Sequence, residues 1–441
     1  MRSSAEQQKF RPSAPEHHTA ISVITRISEV RGAATAAHAH GTVGAASSRP
    51  DTMQADTPVH SQKRGTPVKF SVERDVLAEA VTWTARSLSP RPPVPVLSGL
   101  LIKAENGSLS IASFDYEISA RLTISADVVE EGTTLVSGRL LADICRSLPS
   151  APVQLEAEGG KVTLTCRSSK FNLAAMPVDD YPQLPGLPEL SGVVAGDEFA
   201  HAVAQVNIAA SKDDTLPILT GIRMEIEGEK MTLLATDRYR LAMRELTWRP
   251  TDPTISTAAL IKAKTLNDIA KTLGSSGDVN MALAPNTELV GFESGGRRTT
   301  SLLIDGEYPK IRSLFPENTP ITAVVRTSEL VEAVRRVSLV AERNTPVRLA
   351  FSDGQVALDA GTGEDAQASE VLDAQLNGDE ITVAFNPTYL SEGLHAFDSP
   401  FVRFSFTAPP KPAVLSAQEE LDGEDTVEYK YLLMPVRLPN Q

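Results

Sequence analysis

The sequence predicts an α+β fold made of three similar domains in tandem, beginning at about residue 68. Three observations carry the prediction. Apolar residues recur at helical spacing over two stretches in each domain and alternate at strand spacing between them. The same order of elements is met three times. Landmarks keep their distance as well: Gly99 and Gly221 lie 122 residues apart, and so do Asp115 and Asp237. Solenoid repeats have periods of about 20 to 50 residues, so this longer period means whole domains joined end to end.

In the first domain Phe70–Leu88 reads as an amphipathic helix, with Val76, Leu77, Ala80, Val81 and Ala85 at helical spacing. The Pro-rich stretch 90–99 ends it. Residues 100–126 alternate in short runs broken at Asn106-Gly107 and near Asp115, which reads as successive antiparallel strands. A second helix over 139–148 follows, then a hairpin turning at Gly159-Gly160 and a close at DDYPQLP. The second domain repeats this with a helix over 197–210, DTLPILTG, further strands, a helix within 258–273 and DGEYPKIRSLFP. The third has its first helix after Arg326, its second within 381–397, and a last strand in YKYLLMPVRLP. Two amphipathic helices and a mostly antiparallel sheet pack most economically with the helices on one face.

A chain of 441 residues exceeds one compact core, and its 41 % hydrophobic content supplies several small ones. Cys145 and Cys166 are too few for a disulfide framework and not spaced for metal, which points to a reducing compartment. No stretch approaches the roughly 20 apolar residues of a membrane span, and no apolar secretion core opens the chain. The expected location is the cytoplasm.

Residues 1–67 differ in kind. They are rich in Ala, Ser, Thr, Pro and His, show no period of 2 or 3.6, and are expected to form a disordered extension. His17, His18, His38, His40 and His60 fall here at irregular spacing with no cysteine, so no metal site is read from them. A translation start near Val68 is the mundane alternative. The extension carries a net charge of +3, so the body, against −14 for the whole chain, stands at −17. Such an acidic body argues against a partner held by neutralising phosphates.

ATDRYRL (235–241), DGEYPKIRSLFP (305–316), AFNPTYL (384–390) and YLLMPVRLP (431–439) resemble the bacterial DNA polymerase III beta subunit family, the sliding clamps. PVPVLSG, LLADICRSLP and DDTLPILTGIR match it in the same order, so the likeness covers 68–441. It implies clamp modules at 68–190, 191–317 and 318–441, and two chains closed head to tail into a ring of six domains around duplex DNA. Helices would line the hole and sheets would form the outer wall. A ring holds DNA by topology rather than by many phosphate contacts, which reconciles the acidic body with a DNA partner. The second helix of module 1 sets Arg139 and Arg146 against Asp143, and that of module 2 sets Lys262, Lys264 and Lys271 against Asp268. The third module's counterpart has Glu392 and Asp398 and no Lys or Arg.

By resemblance, the DNA-contacting positions are Arg91, Arg139, Arg146, Arg167, Lys170, Lys212 and Lys264; each also reads as a plain solvated charge. A partner-peptide groove between modules 2 and 3 is implied at Leu219, Thr236, Arg238, Tyr239, Arg240, Leu241, Pro309 and Leu314. Leu432, Leu433, Met434, Pro435, Val436, Arg437 and Leu438 complete it. Branched side chains, adaptable Met434 and rigid Pro435 suit an apolar anchor, although alternate residues of that last strand must belong to the core. The dimer contact implied sets Phe171 and Leu173 of module 1 against Leu339 on the first helix of module 3, a heterologous interface that closes after two subunits; as core residues the three would be unremarkable.

No G-x-S-x-G, H-E-x-x-H, Walker loop or G-x-G-x-x-G is present, so neither catalysis nor a cofactor is expected. Asp237 reads as a turn-capping residue rather than a metal ligand. The family's implied partners are a second copy, double-stranded DNA without sequence preference, the replicative polymerase alpha subunit, the clamp loader, and other polymerases and repair proteins bearing short peptide motifs. A protein-only scaffold and a hydrolase with dispersed carboxylates are the alternatives; three-fold repetition is needless for a single active site.

Overall fold

The computed structural model describes residues 65–283, 288–341, 345–361 and 366–437. The histidines of the N-terminal extension and Leu438 lie outside the described residues. Contacts divide the chain into two units. Of the first, Pro309–Leu314 is described; it holds a 3-10 turn, Ile311–Leu314, with the Ile311 N–H on the Pro309 carbonyl at 2.8 Å. All that follows concerns the second unit.

The chain opens with a strand, Val68–Val72, not the helix expected from Phe70. Its residues alternate between buried and half-buried, and Phe70 stands opposite Leu155 in the antiparallel neighbour Val153–Glu158. Apolar residues at the end of a strand and the start of a helix run together in sequence, and pairing with a distant strand separates them. Helix α1, Arg74–Ala85, then buries Leu77, Ala80, Val81 and Thr84, while Val76 is 41 % exposed on the outer face.

Five further helices follow among the described residues: α2 (Gly138–Ser147), α3 (Gly196–Asn207), α4 (Ala263–Leu273), α5 (Thr327–Val337) and α6 (Pro387–Leu394). They pack in pairs, α1 on α2, α3 on α4 and α5 on α6. Each pair lies on antiparallel strands, which form sheets of five, nine and twelve. None of these helices is long and apolar enough to cross a membrane.

The larger sheets cross the module joints. Strand Arg297–Leu302 of module 2 pairs with Ile118–Ser125 of module 1, setting Thr299 opposite Ala120. Strand Asp425–Leu433 of module 3 pairs with Arg240–Thr247 of module 2, setting Leu432 opposite Leu241. The repetition reaches single hydrogen bonds: the Met176 N–H meets Leu135 O at 2.8 Å, Ile304 meets Leu260 at 2.7 Å, and Val436 meets Ala384 at 2.7 Å. Among the described stretches that keep one edge unpaired, two stand in modules 1 and 3 where the internal joints have their pairing strands. Ser169–Ala174 ends the five-stranded sheet, and Ala368–Asp373 pairs only with Gln355–Ala360.

Candidate functional site

The ATDRYRL segment forms a tight turn. The Asp237 carboxylate accepts the Tyr239 and Arg240 N–H groups at 3.0 and 3.1 Å, and Arg238 between them adopts φ 81°. Asp115 builds the same turn in module 1, accepting from Glu117 and Ile118 at 3.0 and 2.7 Å with Tyr116 at φ 76°. Asp237 is therefore the turn-capping residue the sequence suggested.

Asp237 also receives Arg240 Nε at 2.9 Å, and Arg240 reaches Glu392 of module 3 at 2.5 Å. Only 4 % of Arg240 is exposed. Burial works against its charge, but Tyr431, Glu392 and Asp237 outweigh that and keep it a cation. Helix α6 supplies its module 3 partners: the Asn386 carboxamide caps the Thr388 and Tyr389 N–H groups and Pro387 opens the helix, which sets Tyr389 and Glu392, three apart, on one face. The Tyr389 ring stacks on Tyr239 with centroids 6.1 Å apart, and the Arg238 guanidinium lies over the Tyr239 ring 5.9 Å from its centroid. Tyr389 and Glu392 are absent from the site read in the sequence; the segment AFNPTYL signals only a capped helix, 152 positions from Arg240 in the case of Glu392.

The predicted groove residues separate into a floor and a rim. Leu219, Thr236, Leu241, Leu432 and Leu433 are buried, with the Thr236 hydroxyl on Arg240 O at 2.8 Å. Burial of both Leu432 and Leu433 departs from the expected alternation, because their strand lies inside the twelve-stranded sheet and is covered on both faces. The rim comprises half-buried Arg238, Met434 and Pro435, with Tyr239, Val436 and Arg437 exposed. The Met434 N–H bonds Tyr239 O at 2.9 Å, tying the tail to the turn. Pro309 and Leu314 belong to the separate short unit.

All seven predicted DNA-contacting cations are exposed. Arg139 of α2 reaches Leu88 O at 3.3 Å, and Arg146 pairs with Asp143 on the same helix face. Arg91 lies in the Pro-rich stretch, while Arg167 turns the hairpin that carries Lys170 and reaches Ser150 O at 3.4 Å. Lys212 stands 3.9 Å from Glu392. Lys264 lines a cavity of about 710 Å3 between α1 and α4 with Arg86, Lys262 and Lys271, facing Asp115, Glu117 and Asp268. The third module differs in charge: Asp398 beyond α6 meets His201 of α3 at 3.3 Å.

Of the predicted dimer residues, Leu173 is buried, Phe171 is half-buried on the same face, and Leu339 is 78 % exposed. Leu339 lies in the 3-10 turn Ser338–Val340 rather than on the helix itself, because α5 ends at Val337.

Comparison with known proteins gives a consistent result. The DNA polymerase III beta subunit N-terminal, central and C-terminal domains match residues 68–185, 193–310 and 312–437. The beta sliding clamp of Streptomyces coelicolor is 57 % identical over 374 residues, covering 84 % of this chain and all of that protein. That of Micrococcus luteus is 67 % identical over 309 residues, covering 70 % of this chain and all of that protein. Among solved structures, the sliding clamp of Bacillus subtilis superposes with a TM-score of 0.79 at 26 % identity, over 85 % of this chain and 100 % of that one. The Pseudomonas aeruginosa clamp bound to griselimycin reaches 0.78 at 25 % identity, with the same coverage. With three tandem α+β modules joined through continuous sheets and all three family domains matched in order, the chain belongs to the DNA polymerase III beta subunit family, the beta sliding clamps.

Proposed function

We propose that two copies close head to tail into a ring whose two further joints copy the internal ones. As a sliding clamp the chain is a non-catalytic processivity subunit that encircles duplex DNA and tethers the replicative polymerase. The observation that carries the ring is that two of the unpaired edges correspond to the strands that join the modules inside the chain. Ser169–Ala174 is the counterpart of Arg297–Leu302, and Ala368–Asp373 that of the strand it pairs with, Ile118–Ser125. Transferring the internal register sets Phe171 of one copy opposite Ala368 of the other, as Thr299 stands opposite Ala120. Leu339 then offers apolar surface at the same seam.

Modules so arranged present α2 and α4 to the DNA, with Arg139, Arg146 and Lys264 as weak, replaceable contacts that permit sliding. Arg91, Arg167, Lys170 and Lys212 extend that set beyond the two helices. The groove at the Asp237–Arg240 turn takes short apolar peptide segments from the polymerase alpha subunit, the clamp loader and repair proteins, with Tyr239 and Val436 as its exposed contacts and half-buried Met434 beside them. Residues 1–67 take no part, and the ring works in the cytoplasm.

The test is topological. Protein loaded onto nicked circular DNA with a clamp loader and ATP stays bound at raised salt until the DNA is linearised, then slides off. Retention on linear DNA would exclude sliding by encirclement, and complete failure to load would favour a protein-only scaffold.

A further inference from the structure

The second helix of each module follows a capping residue, Ser137, Lys262 or Asn386, and the ninth position after it holds Arg146, Lys271 and His395 in turn. All three side chains are exposed. The third module therefore has an imidazole where the other two set a permanent cation. The joints repeat this exchange. The cavity between α1 and α4 is lined by Arg86, Lys262, Lys264 and Lys271, whereas its counterpart between α3 and α6, of about 380 Å3, is lined by His201, Gln205, Glu392, His395 and Asp398 with no lysine or arginine among the described residues.

His395 is placed to take up a proton. Its Nδ1 stands 2.7 Å from Ser391 O, and a carbonyl can only accept, so Nδ1 carries the hydrogen and Nε2 keeps the lone pair. Protonation turns Nε2 into a donor and sets a full charge at the C-terminal end of α6, where the last carbonyls favour a cation. The carboxylates facing this end each have a partner already. Glu392 on the same helix holds Arg240 at 2.5 Å with Lys212 at 3.9 Å, and Glu332 of α5 holds Arg335 at 2.7 Å and Arg336 at 3.5 Å. Asp398 has His201 of α3 at 3.3 Å. While both imidazoles are neutral, the unmatched charge of this face is the Asp398 carboxylate; once both are protonated, it is the His395 imidazolium.

We propose that His395 is the DNA contact of module 3, a phosphate-binding position that works only when its imidazole is protonated, so that the ring grips the duplex backbone more tightly as pH falls from 8 to 6. It rests on the reading that the second helices face the DNA, and extends that reading to a helix without lysine or arginine. One experiment separates the two. Rings loaded at pH 8 onto a stretched duplex are followed as they slide at low salt, at pH 6 and at pH 8, for the wild-type chain and for His395→Gln, His395→Lys and Arg146→Gln. The added phosphate contact slows the wild-type ring about twofold at pH 6. His395→Gln slides at one speed at both pH values, and His395→Lys, with a permanent cation, is slow at both. Because His395 is exposed, both of its variants keep the wild-type unfolding temperature at pH 8. Arg146→Gln slides faster than wild type at either pH. A wild-type ring indifferent to pH, or a His395→Gln ring that still slows at pH 6, overturns the third-module contact. An Arg146→Gln ring that slides as wild type overturns the placing of the second helices on DNA instead.

Discussion

The Arg240 guanidinium lies 4.3 Å from the centroid of the Tyr389 ring, so a buried cation of module 2 rests on an aromatic face of module 3. Asp237 and Glu392 neutralise it from either side of the joint. Removing the cation strands both carboxylates. Arg240→Met is expected to destabilise the protein by about 2–4 kcal/mol, below the full cost for a buried pair because the Glu392 side chain is 35 % exposed. Chemical denaturation measures this, and adding Glu392→Gln recovers part of the loss. A denaturation midpoint equal to wild type would show that the joint does not depend on the cation.

Arg167 occupies the hairpin turn after Cys166 at φ 52°, a region in which a β-carbon is crowded and glycine is not. Arg167→Gly is expected to raise stability by about 1 kcal/mol. The contact of the ring with DNA should meanwhile weaken slightly and depend less steeply on salt, since one cation is gone. A variant less stable than wild type contradicts the strain argument.

Burial pushes the Cys145 thiol up to about 12, from an ordinary value of 9.0. The folded state therefore holds the proton more tightly than the unfolded one. Its contribution to stability is complete below pH 9.0 and is lost as pH rises toward about 12. Native protein at pH 8 should leave Cys145 unmodified by iodoacetamide over hours, with labelling appearing in urea. Rapid native labelling, located by peptide mass, would rule out this burial.

Leu339 and Phe171 separate folding from assembly. Because Leu339 is 78 % exposed, Leu339→Lys should change the stability of a single copy by no more than about 0.5 kcal/mol. Together with Phe171→Asp it should shift sedimentation at micromolar concentration from dimer to monomer. A persistent dimer would mean that the copies meet elsewhere.

Much of the fold is legible in the sequence because its signals are local. Helical periodicity places the helices to within a few residues, as Gly138–Ser147 against the expected 139–148 shows. Asp115 and Asp237, at equal spacing from Gly99 and Gly221, mark one turn built twice, since a carboxylate capping N–H groups two and three residues on needs only its own neighbours. Strand Val68–Val72 was hidden because its apolar alternation runs into that of α1, and only Leu155, far along the chain, distinguishes them.

The sequence by itself determined the repetition, the apolar faces and the family. Tertiary structure alone decided which residues of those segments face out. Leu432 and Leu433 look like a peptide contact in sequence and are floor in the fold, because strand Arg240–Thr247 joins their strand across the module boundary. Arg240, placed in the peptide groove by resemblance, is the buried centre of that boundary, since Tyr389 and Glu392 come to it from another module. Burial depends on what packs from far along the chain, and no local pattern carries that information.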